Sequence, residues 1–145
     1  MPNTGPDTAQ PIALIAAFNR DGDILLLKRP DGMHCGGLWS FPGGKVEGDE
    51  TALESAEREL KEETGLTGEG WLHLGDTAHT YQNLRLNFEL FACLCPDISG
   101  LGCESEHAWV KRNALDGFPM PEANALLVPM LLLPEMDEYW GYEQP

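Results

Sequence analysis

The stretch from Thr51 to Thr64 is marked as a helix at both ends and carries its charges in an awkward place. Thr51 and Glu54 have the spacing of a capping box, in which each side chain satisfies the other's backbone N–H. Gly65 supplies a left-handed stop after the last turn. Leu53, Ala56 and Leu60 recur at helical spacing and are expected to face a core. Beside that stripe, Glu59, Glu62 and Glu63 are related by i, i+3 and i+4, so three carboxylates share one side. Like charges at that spacing destabilise an isolated helix by roughly a few tenths of a kcal/mol per pair. Acids near a helix C-terminus also oppose its dipole. Arg58 offsets part of this by pairing with Glu62 at i, i+4. A local cost of this kind marks either a solvated acidic face or a set of hard oxygen ligands suited to Mg²⁺ or Mn²⁺.

Net charge sharpens the choice. The 145 residues carry 24 acidic and 9 basic side chains, a formal charge of −15. Such a field repels nucleic acid, so no duplex partner is expected. It would also repel a phosphorylated small molecule unless divalent cations intervene. Eight of the acids lie between Gly44 and Leu66. The cysteines at 35, 93, 95 and 103 form no Cys-x-x-Cys pair and read as small apolar fillers. No apolar run approaches the ~20 residues of a membrane span. Met1 to Gln10 lacks the basic and apolar regions of a signal peptide, so a cytoplasmic protein without membrane partners is expected.

Residues 1–10 read as a flexible lead-in and residues 11–145 as a single domain. Ile12–Phe18 and Ile24–Lys28 are strand-like, and the turn signal at Arg20–Asp23 suggests a hairpin. Trp39–Phe41 is a short extended piece that Pro42-Gly43-Gly44 should break. Trp71–Gln82 and Asn83–Leu94 follow the helix as strands, then Glu104–Val110. Asn124–Leu133 is a second helix, with Pro129 inside it. The aromatic tail Tyr139–Tyr142 and the apolar C-terminal quarter are compatible with a homodimer. Strands outnumber helices without regular alternation, which predicts an α+β fold, a mixed sheet with helices packed on it.

The wider pattern around the helix is more specific. Gly44, Glu50, then Arg58-Glu59-Leu60, Glu62-Glu63 and Gly65-Leu66 fill nine fixed positions over 23 residues. This resembles the Nudix box. The resemblance implies an α/β/α sandwich around a central mixed β-sheet. It implies divalent-metal-dependent hydrolysis of a nucleoside diphosphate linked to another group. By position, the Gly43 carbonyl and Glu59, Glu62 and Glu63 would be metal ligands. Glu59 or a downstream acid would help deprotonate the attacking water. Arg58 would orient a glutamate, and Glu50 would support the metal shell, or serve only as a first-turn helix acid. All the box acids are present, which favours an enzyme over a binding module of the same fold.

The flanks resemble the MutT-type branch, which includes oxidised-dGTP diphosphatases and CTP or dCTP pyrophosphohydrolases. They are Leu26–Pro30, Gly36–Gly44 and Phe118–Asn124. Asn124 stands where that branch reads a guanine edge, and Arg29 has the spacing of its base-contacting arginine. Asn124 also suits a plain helix N-cap, and Arg29 a strand-end surface charge. Phe41 is a candidate wall of the base pocket or a core residue. His79 and Tyr81 are candidates to line the cleft, although a lone His in a strand is more often a structural residue. Glu104, with Glu106 as second choice, sits where the family carries a further acid. Glu122 stands where a proline is usual. The implied activity is Mg²⁺-dependent cleavage of a nucleoside triphosphate to the monophosphate and pyrophosphate, with oxidised dGTP first and CTP, dCTP or ADP-ribose as alternatives.

Overall fold

The computed structural model describes residues 9–32, 36–103, 105–134 and 136. Strand β1 (Gln10–Phe18) lies at its centre and is buried on both faces. That explains its nearly unbroken apolar run, since a strand covered on both sides has no polar face to alternate. Ile12, Leu14, Ala16 and Phe18 point into one core, and Ala13, Ile15 and Ala17 into the other.

Strand β6 (Leu84–Leu94) runs parallel to β1 along its whole length, from Gln10 opposite Leu86 to Phe18 opposite Leu94. Strand β5 (Glu69–Tyr81) pairs antiparallel with β6 through a tight turn. In that turn Gln82 and Asn83 both take positive φ, 49° and 69°, as a two-residue hairpin of this hand requires. Among the described residues the sheet has seven strands and mixed pairing.

Two sequence expectations hold only in part at the other side of β1. The turn from Asn19 to Asp23 forms, with Asn19 Oδ1 accepting the N–H groups of Asp21 and Asp23. Its strands then part: β1 and β2 (Asp23–Lys28) share only the Phe18–Ile24 pair. Strand β2 pairs instead with β7 (His107–Lys111) and with β3 (Trp39–Ser40). The place beside β1 is taken by β4 (Gly43–Lys45), in the segment expected to be a break. A side chain at Gly43 would collide with the carbonyl of Ala13. The glycines therefore let this strand lie close against β1 instead of ending it.

Helix α1 (Ala52–Thr64) has the expected capping box and its Gly65 stop at φ 77°. It covers one face of the sheet through Ala56 and Leu60. Leu53 is 37% exposed, whereas Ser55 is fully buried. The first turn also meets the backbone of β4: Ser55 Oγ donates to the Lys45 carbonyl at 3.3 Å, while Ala52 packs on the apolar core. A 3₁₀ helix, Arg112–Gly117, was not foreseen. Helix α2 (Glu122–Leu131) covers the opposite face through Ala123, Leu127 and Leu131. It starts earlier than expected and tolerates Pro129. The result is an α/β/α sandwich. The aromatic tail, Cys35 and Glu104 lie outside the described residues.

Truncation should separate the two leucines of α1. Leu60→Ala is expected to cost about 2–5 kcal/mol in chemical denaturation, and Leu53→Ala under about 1 kcal/mol. Equal losses would contradict this placement of the helix.

Candidate active site

One guanidinium organises the acids of α1. Arg58 Nε donates to Glu50 Oε2 at 2.6 Å and Nη2 to Glu50 Oε1 at 3.0 Å, a two-pronged contact. Its Nη1 donates to Glu59 Oε2 at 3.2 Å and to Glu62 Oε1 at 3.1 Å. The Lys45 carbonyl accepts from Nη2 at 3.4 Å, and Glu47 lies 3.8 Å away. The expected Arg58–Glu62 pair is present, but the fork belongs to Glu50. That contact, with the N–H of Glu47, holds the Glu50 carboxyl down at about 2.

Glu63 has the opposite environment. Burial pushes its carboxyl up to about 7, against the lowering effect of the Gly43 N–H, which donates to Oε1 at 3.0 Å. Nearby Glu59 and Glu62 push it further up, and Arg29 pulls it down. Burial also raises Glu59, with Arg58 opposing. Glycine is needed here a second time. A Cβ on Gly44 would stand 2.5 Å from a Glu59 carboxylate oxygen. Strand β4 thus passes directly over the carboxylates of α1.

A cleft of about 1160 Å³ opens beside this network. Gly43, Gly44, Lys45, Glu62 and Glu63 line one part of it. Ile12, Leu14, Phe41, Leu86 and Phe88 give it an apolar floor, and Arg29, Tyr81 and Asn124 also line it. Of the sequence candidates, the cleft wall gathers Arg29, Phe41, Gly43, Glu62, Glu63 and Asn124. Arg58, Glu50 and Glu59 are joined in the network beside it. Glu104 lies outside the described residues, and Glu106 pairs with Lys28 at 3.9 Å.

Asn124 is not the N-cap of α2; that position is Pro121, which makes no side-chain cap bond. Asn124 lies within the first turn and is 5% exposed. Its Oδ1 accepts the N–H of Phe41 at 3.1 Å. Its Nδ2 has no partner among the described residues. Phe41 is 3% exposed, so its side chain belongs to the core while lining the cleft. The sequence reading missed Lys45, whose place next to the box glycine was the available signal. It also missed the contact between His79 on β5 and Glu122 on α2, 3.6 Å apart.

The NUDIX domain family model matches residues 13–129, most of the chain and both sides of this cleft. The chain is a Nudix hydrolase. It is 33% identical over 124 residues to a CTP pyrophosphohydrolase of Escherichia coli K12, covering 83% of this chain and 88% of that one. It is 32% identical over 122 residues to an 8-oxo-dGTP diphosphatase of Haemophilus influenzae, covering 79% and 85%. A solved MutT structure, from work on Aliivibrio salmonicida and Vibrio cholerae, matches with a TM-score of 0.69 and 32% identity. It covers 86% of this chain and 98% of the other. No helix among the described residues is long and apolar enough to cross a membrane.

Nudix hydrolases use divalent metal ions, and the donor set here suits them. The groups are hard carboxylate oxygens, and burial disfavours the charge on Glu59 and Glu63 unless a cation is near. Among the described residues no three His, Cys, Asp or Glu side chains converge tightly enough to enclose an ion by themselves. Magnesium ordinarily keeps several waters and shares substrate phosphates, so a closed protein cage is not required.

The two shifted carboxyls act on stability in different pH windows. Glu63 is raised from 4.5 to about 7, so in metal-free protein its contribution falls as pH rises between those values. Glu50 is lowered to about 2, so its contribution is complete above 4.5 and fades towards 2. Glu63→Gln should flatten the upper window and Glu50→Gln the lower one in thermal melts across pH. Profiles identical to wild type would contradict these environments.

Proposed function

We propose that this Nudix hydrolase is a Mg²⁺-dependent nucleoside triphosphate pyrophosphohydrolase, releasing a nucleoside monophosphate and pyrophosphate, with oxidised dGTP as its leading substrate. The observation that carries the reading is the shared cleft. Acids and the Gly43 backbone line one part of it, and an apolar floor with Asn124 and Arg29 lines another. A triphosphate and its base need such a division.

In this reading Glu59, Glu62 and Glu63 and the Gly43 carbonyl hold the cations. Bound there, divalent metal neutralises phosphate charge, polarises a P–O bond and lowers the pKa of water. The residues of the chain do the rest. Arg58 holds Glu50, Glu59 and Glu62 in fixed relation, so that positioning is not lost to side-chain entropy. Glu59, or the downstream acid Glu104, accepts the proton of the attacking water. Water oxygen bonds to one phosphorus of the α–β anhydride as that P–O bond breaks, giving nucleoside monophosphate and pyrophosphate. Glycine at 44 keeps the Glu59 carboxylate close to β4.

Base reading falls to Asn124, with Arg29 beside it. The Phe41 N–H takes one lone pair of Oδ1 and orients the amide, which leaves the Nδ2 donor, beside the second Oδ1 lone pair, for a base edge. A pocket that hydrogen-bonds an exocyclic group rejects analogues lacking it strongly. The similarity to an E. coli CTP pyrophosphohydrolase favours a second reading, since cytosine offers its O2 and N3 acceptors to the same donor.

Variants separate chemistry from selectivity. Glu59→Gln and Glu63→Gln should each lower kcat about a hundredfold or more. Gly44→Ala should lower it roughly tenfold to a hundredfold by displacing Glu59, with little loss of stability. Asn124→Asp keeps the acceptor for Phe41 and removes the donor. It should reduce the kcat/KM preference between bases more than turnover of the best substrate. An unchanged preference would remove Asn124 from base reading, and full activity in Glu63→Gln would remove the carboxylates from the chemistry.

A further inference from the structure

Helix α2 brings Asn124 to the cleft, and its first turn is held by the buried Ala123 and by the Asn124–Phe41 hydrogen bond. It is 10 residues long, its N-cap Pro121 makes no side-chain bond, and Pro129 interrupts its ladder. On β5, a side chain at Gly75 would meet the flexible end of Met130. The first helical residue is Glu122, a position that also suits proline. Glu122 instead meets His79 Nε2 at 3.6 Å, with side chains 71% and 18% exposed respectively. The same imidazole lies against the Tyr81 ring, with centroids 4.4 Å apart and planes tilted by 58°. Tyr81, Pro121 and Asn124 all line the cleft.

His79 does not itself line the cleft, but it touches Tyr81 of one wall and the helix that carries Asn124 of the other. On β5 it packs against Tyr81, two residues on and on the same strand face. Across the gap it ties the first turn of α2, whose third residue is Asn124. We propose that His79 is a positioning residue for nucleobase recognition, linking the Tyr81 wall to the Asn124 wall through its contact with Glu122. It touches neither phosphate ligands nor the reacting atoms. The inference rests on the reading of this cleft as a nucleoside triphosphate site. A tie of this kind limits how far the two walls separate, so its loss weakens binding of the base and leaves the hydrolytic step alone.

The test is steady-state kinetics on the best nucleoside triphosphate of the wild-type enzyme. His79→Phe keeps a ring against Tyr81 and breaks the contact with Glu122. Glu122→Pro breaks it from the other side with a residue the first helical position accepts. Each should raise KM about three- to fivefold, the scale of a part-exposed polar contact, with kcat changed less than twofold. The double variant should be no worse than either single one, because both remove the same contact. His79→Gln, which can still donate to Glu122, should recover part of the loss. Lys111→Met breaks an ion pair of comparable exposure at 3.4 Å, well outside the cleft lining, and should leave KM unchanged. Unchanged KM in His79→Phe, additive effects in the double variant, or equal losses of kcat would overturn the role of His79 while the proposed function stood. Failure of the wild-type enzyme to hydrolyse any nucleoside triphosphate would overturn both.

Discussion

The close passage of β4 over α1 is the contact on which the site depends. Gly43 donates its N–H to Glu63, and Gly44 leaves room for Glu59. Both glycines lie in a strand that fills the side of β1 left open where β2 turns away to pair with β7. Without side chains there, the backbone of β4 and the carboxylates of α1 share a space that other residues would occupy. The site is therefore a consequence of how the sheet is completed.

That arrangement concentrates negative charge where burial disfavours it. The chain answers with a single guanidinium on the helix, which satisfies Glu50 with two bonds and reaches Glu59 and Glu62 with a third nitrogen. Glu63 is left to the Gly43 N–H and the field of Arg29, and its carboxyl remains raised. One arginine cannot neutralise five neighbouring acids. The remaining charge is the physical reason that a divalent cation and a polyphosphate can meet on a protein with a net charge of −15.

The helix, its caps and the order of elements were legible because each rests on local chemistry: a capping box, a left-handed glycine, a strand with apolar residues on both faces. The role of Pro42-Gly43-Gly44 was not, because local rules read glycine as a break while the tertiary structure uses it for close approach. Leu53 has the angular position of a core residue but is left exposed, while buried Ser55 bonds the β4 backbone, which no helical wheel reports. Asn124 suited an N-cap by residue type. The helix begins two residues earlier, and the side chain instead serves a buried N–H 83 positions away in sequence. The acids of the site were visible in the sequence. Their division into an Arg58-held group and a raised, cleft-lining Glu63 depends on burial, which only the packed structure supplies.

The most direct test of the central claim is Mg²⁺-dependent hydrolysis of 8-oxo-dGTP beside dGTP and CTP, with products resolved by chromatography. The expected result is strict dependence on divalent metal, release of nucleoside monophosphate and pyrophosphate, and a kcat/KM for 8-oxo-dGTP well above that for dGTP. Hydrolysis that persists in excess chelator, or products of diphosphate and inorganic phosphate, would contradict it.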